Sequence, residues 1–208
     1  MFDYLTQYPD RVWGYFVEHL QLTLISLGIA LLIAIPIGIW LSRRKGAQGP
    51  VLGLLSILYT IPSLALFVLL VPLFGLGLDN GVTALVIYAQ VVLVRNIVAA
   101  LEGVPASVLE AARGMGMSPQ QVFRKVELPL ALPVILAGLR IATLSTIGIG
   151  TIAALVGAGG LGRLLLDGVQ QTNEGKIWAG ALAVSALAIG INAALRYAEK
   201  RAEVATHR

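Results

Sequence analysis

The chain of 208 residues is 57% apolar and only 12% charged, where soluble domains are about a quarter charged, and its mean hydropathy is +0.84. A freely soluble globular domain is therefore excluded. No cysteine is present, which rules out disulfides and thiolate metal sites, and the net charge of +4 is too unevenly placed to suggest nucleic acid.

Residues 1–19 (MFDYLTQYPDRVWGYFVEH) lack the basic start, apolar run and small-residue cleavage site of a secretory signal. Tyr4, Tyr8, Trp13, Tyr15 and Phe16 instead suit a segment lying at the membrane surface, where amphipathic rings are favoured; a frayed aromatic tail is the alternative. Five segments then meet the length of about 20 mainly apolar residues needed to span a bilayer: 20–41, 51–74, 81–101, 130–156 and 177–197. The fourth is the longest, so it should tilt, bend or extend beyond the bilayer. Open sheets leave edge groups unpaired in hydrocarbon, so the expected fold is all-α, a polytopic membrane protein of about five transmembrane helices. We expect one domain over 1–208, with 1–19 interfacial, 102–129 a cytoplasmic loop and 157–176 an outer loop. Pro36, Pro62 and Pro133 should bend their helices.

Charge sets the expected orientation. With the loop after the first span placed inside, the inner segments hold ten basic residues: Arg43, Arg44, Lys45, Arg113, Arg124, Lys125, Arg196, Lys200, Arg201 and Arg208. The outer segments hold three, Arg11, Arg163 and Lys176. The positive-inside rule then places the N-terminus outside and the C-terminus in the cytoplasm.

The polar island 110–129 (EAARGMGMSPQQVFRKVELP) consequently faces the cytoplasm. Pro105 can occupy the first position of a short helix, where its missing N–H is not needed. Gly114 and Gly116 can close that helix, because glycine tolerates the left-handed turn at a helix end. Ser118-Pro119-Gln120-Gln121 reads as a second helix start, a serine cap with proline first and glutamine three positions on. Pro129 should terminate that helix. Two capped helices across a glycine turn suit a knob gripped by a soluble partner; an ordinary solvated connector is the alternative reading.

The spans themselves hold little chemistry. No Asp or Glu lies within them, Glu102 sits just past the third, and His19 and His207 fall outside their interiors. Proton-coupled carriers use such groups as relays, so energy must come from elsewhere. No nucleophile–base pair, metal cluster or phosphate-binding loop is visible. Gly157, Gly159 and Gly162 fit G-x-G-x-x-G, but without a preceding strand or an acid about 20 residues on; close backbone packing or a hinge at the outer mouth fits better. Arg163 and Asp167, four residues apart, could pair there on a short helix. Arg95, beside Asn96, lies near enough to the inner interface to snorkel. Arg140 lies about 15 Å along the fourth span from Pro129, where it could be a gate or a structural clamp.

The order Glu110-Ala111-Ala112, Gly116, Val126 and Leu128-Pro129 resembles the EAA signature of ABC importer permeases, with valine where isoleucine is usual. The resemblance extends from about residue 20 to 197. It implies that the loop docks into a groove on a cytoplasmic ABC ATPase subunit, with Glu110 as contact and Gly116 as turn, and that ATP and Mg2+ are bound by that partner and not by this chain. It also implies a type I, methionine-importer-like permease fold in the bacterial cytoplasmic membrane, a second permease subunit, like or unlike, and an extracytoplasmic binding protein. Tyr59-Thr60-Ile61-Pro62-Ser63-Leu64-Ala65-Leu66, the later Pro72-Leu73-Phe74-Gly75, and 153–162 (AALVGAGGLG) look like the osmoprotectant importer permeases. Such permeases carry glycine betaine, carnitine or choline; amino-acid importers share the core, and a scaffold or passive channel is the reading from another class.

For a quaternary amine the expected attraction is cation–π contact, which singles out Tyr59 near Pro62 and Tyr88 in the third span. Ser63, Thr143 and Thr146 add hydroxyls, with ordinary interhelical packing as the alternative. Gly157, Gly159 and Gly160 join Arg140 as candidate gating or structural positions.

Overall fold

The computed structural model describes residues 3–206, so the readings of His207 and Arg208 fall outside the described residues. A short helix, α1 (Asp3–Gln7), precedes α2 (Pro9–Arg43), a single helix of 35 residues and about 50 Å. The segment expected to lie apart at the surface thus divides at Tyr8. Pro9 starts α2 in the position where its missing N–H is harmless, and nothing between it and the first span interrupts the helix.

The second apolar segment is broken. α3 (Lys45–Thr60) and α4 (Ser63–Phe74) meet at 97°. Pro62 causes the break, since it disfavours helical backbone in the residue before it, and Ile61 is extended at φ −63°, ψ 125°. Pro36 and Pro133, by contrast, lie inside unbroken helices.

The third span is α5 (Leu78–Glu102), followed by α6 (Ala106–Gly114) and the four-residue α7 (Pro119–Val122). A π-helical turn (Phe123–Glu127) then runs without interruption into α8 (Leu128–Gly150). Pro129 therefore does not end the second loop helix. The π turn, in which the Leu128 N–H reaches back five residues to the Phe123 carbonyl, shifts the hydrogen-bond ladder just where proline cannot donate. A 3₁₀ turn (Ile152–Val156), α9 (Gly162–Gln170) and α10 (Glu174–Thr206) complete the chain. Four helices are long and apolar enough to cross a membrane, five with the bent α3–α4 pair counted as one crossing, and no strand occurs among the described residues.

α5 is the hub, buried on most sides, and packs against α2, α3, α4 and α8. Lipid is as apolar as leucine, so membrane helices gain most by approaching closely through small residues. At the α5–α8 crossing a β-carbon on Gly138 would lie 2.3 Å from that of Asn96, and only glycine permits that approach. A second cluster joins α4 to α5 through Phe67, Leu70 and Leu85, and a third joins α2, α8, α9 and α10 around Ile147, Leu164 and Leu187.

Candidate functional site

The loop between α5 and α8 folds as two capped helices. At the end of α6 the Gly116 N–H donates to the Arg113 carbonyl and the Met117 N–H to the Ala112 carbonyl. These two bonds form a Schellman closure, which requires the left-handed backbone of Gly116 at φ +81°. Gly116 alone supplies that conformation; Gly114 is the last helical residue. Pro105 is the cap of α6, one residue ahead of the expected first helical position. The start of α7 is a complete capping box: Ser118 Oγ accepts from the Gln121 N–H at 3.4 Å, and Gln121 Oε1 accepts from the Ser118 N–H at 2.8 Å.

Ala112 and Val122 are buried, while Leu109 and Phe123 rest against the main core cluster. Glu110, Ala111 and Gly116 face outward, Leu128 is half-buried and Pro129 exposed. Apolar pegs thus hold the knob to the bundle while its acidic face is presented to solvent.

Glu127 was not singled out from the sequence, yet it is among the most buried charged groups, at 3% exposure. Its Oε2 accepts from Arg43 Nη2 at 2.5 Å, and the Arg43 guanidinium also sits 5.7 Å from the centre of the Phe123 ring. This ties the inner end of α2 to the exit of the knob. Its partners are 84 residues apart, so sequence spacing carries no trace of it. Gln48 donates to Glu102 at 2.7 Å at the same end of the molecule.

Of the pathway candidates, the structure brings Tyr59, Ser63 and Tyr88 together. The rings of Tyr59 and Tyr88 meet edge to face with centroids 5.7 Å apart, and the Tyr88 hydroxyl donates to the Ile61 carbonyl in the break between α3 and α4. Ser63 opens α4 beside it. Thr143 and Thr146 lie elsewhere, buried on α8, and the Thr143 hydroxyl donates to the Leu139 carbonyl of its own helix at 2.7 Å.

Arg140 holds α8 to α10. Its Nε donates to Glu199 Oε2 at 3.0 Å and its Nη1 to Asn192 Oδ1 at 3.5 Å. Asn96 donates to the Val92 carbonyl, and Arg95 to Ser56 Oγ on α3.

At the opposite end, Gly157, Gly159 and Gly160 all have positive φ, from 78° to 80°. The Gly160 N–H donates to Glu18 Oε2 at 2.9 Å. His19, expected outside the span interiors, is fully buried between α2 and α8: its Nε2 lies 3.1 Å from the Ile147 carbonyl, and Nδ1 faces Gly160. A carbonyl only accepts, so Nε2 carries the proton. The continuous helix through Pro9 carries His19 inside. The expected Arg163–Asp167 pair does not form among the described residues, although α9 does.

Comparison with known proteins bears on the same segments. Residues 24–204 match the family described as binding-protein-dependent transport system inner membrane component. An osmoprotectant import permease of Salmonella typhimurium, OsmW, is 45% identical over 177 residues, 83% of this chain and 82% of that protein. A choline transport system permease of Bacillus subtilis, OpuBB, is 39% identical over 184 residues, 88% of this chain and 85% of the relative. Among solved structures, a chain of the MetNI methionine ABC transporter in an inward-facing conformation aligns over 100% of both chains with a TM-score of 0.79 and 26% identity.

Proposed function

The chain belongs to the family of binding-protein-dependent transport system inner membrane components, an ABC importer permease and not an enzyme, and on that premise we propose that it carries a quaternary-amine osmoprotectant. The substrate class is glycine betaine, choline or carnitine, after the relatives that carry those names. The observation that carries the coupling assignment is the knob: two capped helices with Glu110 and Ala111 outward and Ala112 buried.

In this reading the N-terminus lies outside and the C-terminus in the cytoplasm. Glu110, Ala111, Ala112, Gly116, Leu128 and Pro129 form the coupling element that seats on a cytoplasmic ABC ATPase subunit, which binds ATP and Mg2+. A second permease subunit completes the pathway, and an extracytoplasmic binding protein delivers the solute. Nucleotide binding draws the two ATPase halves and their knobs together. Residues 119–150 form one uninterrupted helical run, so displacement of α7 moves α8 as a lever. The Arg43–Glu127 pair passes the same movement to α2.

The test is purification in mild detergent followed by uptake assays. An ABC ATPase should co-purify with the native protein and be lost with Glu110→Arg, while folding is retained. Proteoliposomes of the full importer should accumulate choline or glycine betaine only with ATP. Absence of any ATPase across several detergents would overturn the coupling assignment, and ATP-driven uptake of methionine instead would overturn the substrate.

A further inference from the structure

We propose that the break between α3 and α4 is a docking station for the quaternary ammonium head of the solute, midway across the membrane. The inference rests on the substrate reading above and adds the place and the groups that hold the cation.

Depth comes first. Tyr88, which donates to the Ile61 carbonyl in the break, lies ten residues into the 25-residue α5, roughly 15 Å from its outer end. The break is therefore well inside the hydrocarbon layer. Most polar backbone groups around it have partners: the Ile61 N–H donates to the Leu58 carbonyl, the Thr60 hydroxyl to the Ile57 carbonyl, and the Leu66 N–H to the Pro62 carbonyl. Two do not. Among the described residues no donor reaches the carbonyls of Tyr59 and Thr60, and Pro62 has no N–H to offer.

These carbonyls belong to exposed residues, Tyr59 being 42% exposed. Bare carbonyls facing hydrocarbon are strongly unfavourable, and irregular backbone at membrane depth is tolerated only against protein or a water-filled space. The break thus lines the pathway.

Its electrostatics suit a cation. Carbonyls at the end of α3 carry the negative pole of the helix dipole. No carboxylate lies on α3 or α4, so the attraction is weak enough to release its occupant. A quaternary ammonium group donates no hydrogen bond and is held by carbonyl dipoles and aromatic faces, which Tyr59 and Tyr88 provide. The outer-surface tyrosines differ: Tyr8 has the Arg11 guanidinium 5.2 Å from its ring centre and Tyr4 has the Lys176 ammonium at 5.8 Å. No cation of the chain covers Tyr59 or Tyr88 among the described residues.

The experiment uses the complete importer, with its ATPase, both permease subunits and binding protein, in proteoliposomes supplied with radiolabelled choline. Tyr59→Phe keeps the ring and should stay within about twofold of native uptake, whereas Tyr59→Leu should lower the maximal rate about tenfold. The half-saturating concentration, set by the binding protein, and the yield of co-purified ATPase should not change. Native uptake by Tyr59→Leu, or an equal loss in both variants, overturns the station while leaving the substrate reading intact. If the native importer moves another solute but no quaternary amine, the substrate reading fails and the station with it. If Tyr59→Leu does not assemble, phenylalanine bearing one to three ring fluorines at position 59 weakens the ring's attraction without changing its shape. Uptake should then fall stepwise, and a flat series overturns the proposal.

Discussion

Arg43 and Glu127 illustrate how unequal the partners of one ion pair can be. The Glu127 side chain is 4% exposed and that of Arg43 is 47% exposed, so the two ends respond differently to removal. Arg43→Ala strands a buried carboxylate; discounted for the half-exposed arginine, the loss should be about 2 kcal/mol in thermal unfolding of the purified complex. Adding Glu127→Gln should restore most of it, because the stranded charge is then gone. Gly160 is the sharper case at the outer end. Its φ is +78°, and an added β-carbon would lie 2.8 Å from His19 Nδ1 and 3.2 Å from the His19 backbone. Gly160→Ala should lower stability by about 1–2 kcal/mol from backbone strain alone, and Ala158→Gly nearby should serve as a milder control in the same melt. The glycines were visible as a motif in the sequence; that Glu18 and His19 are what they pack against was not.

At the scale of elements, the loop was legible because its signals are local. The serine cap, the glutamine three residues on and the glycine closure act over three to five residues, within reach of direct reading. Ser118→Ala should weaken α7 by about 1 kcal/mol, seen as faster hydrogen exchange confined to 118–122. Gly116→Val places a β-branched residue at φ +81° and should uncouple ATP hydrolysis from uptake while membrane yield is kept. Native coupling in that variant would show that the turn geometry is dispensable. Pro129 was misread for a physical reason. Proline ends a regular α-helix, but a π turn immediately before it redirects the hydrogen bonds, and no simple residue pattern announces a π turn.

The whole molecule separates into two ends. Arg43, Gln48, Glu102 and Glu127 gather at one, and Glu18, Gly160, Gly77 and Val156 at the other, where the Gly77 N–H donates to the Val156 carbonyl at 2.7 Å. Because the chain has no cysteine, each end can be probed with one introduced thiol. Met115→Cys, at a position 73% exposed, should react with a membrane-impermeant maleimide only in inverted vesicles; Val169→Cys, 66% exposed, should react only in intact spheroplasts. The reverse pattern would invert the topology.

The apolar runs, the split of basic residues and the capped loop could be read from the chain because membrane and water select on composition over about 20 residues, and caps act over a few. The tertiary structure decided what depends on two helices meeting: Arg140 with Glu199 across 59 residues, Arg43 with Glu127 across 84, and the burial of His19. It also turned a proline in an apolar run into a 97° break with two free carbonyls, an outcome set by whether neighbouring donors could reach them. Local chemistry fixes which segments cross the membrane; only packing fixes which polar groups find partners there, and which are left for a solute.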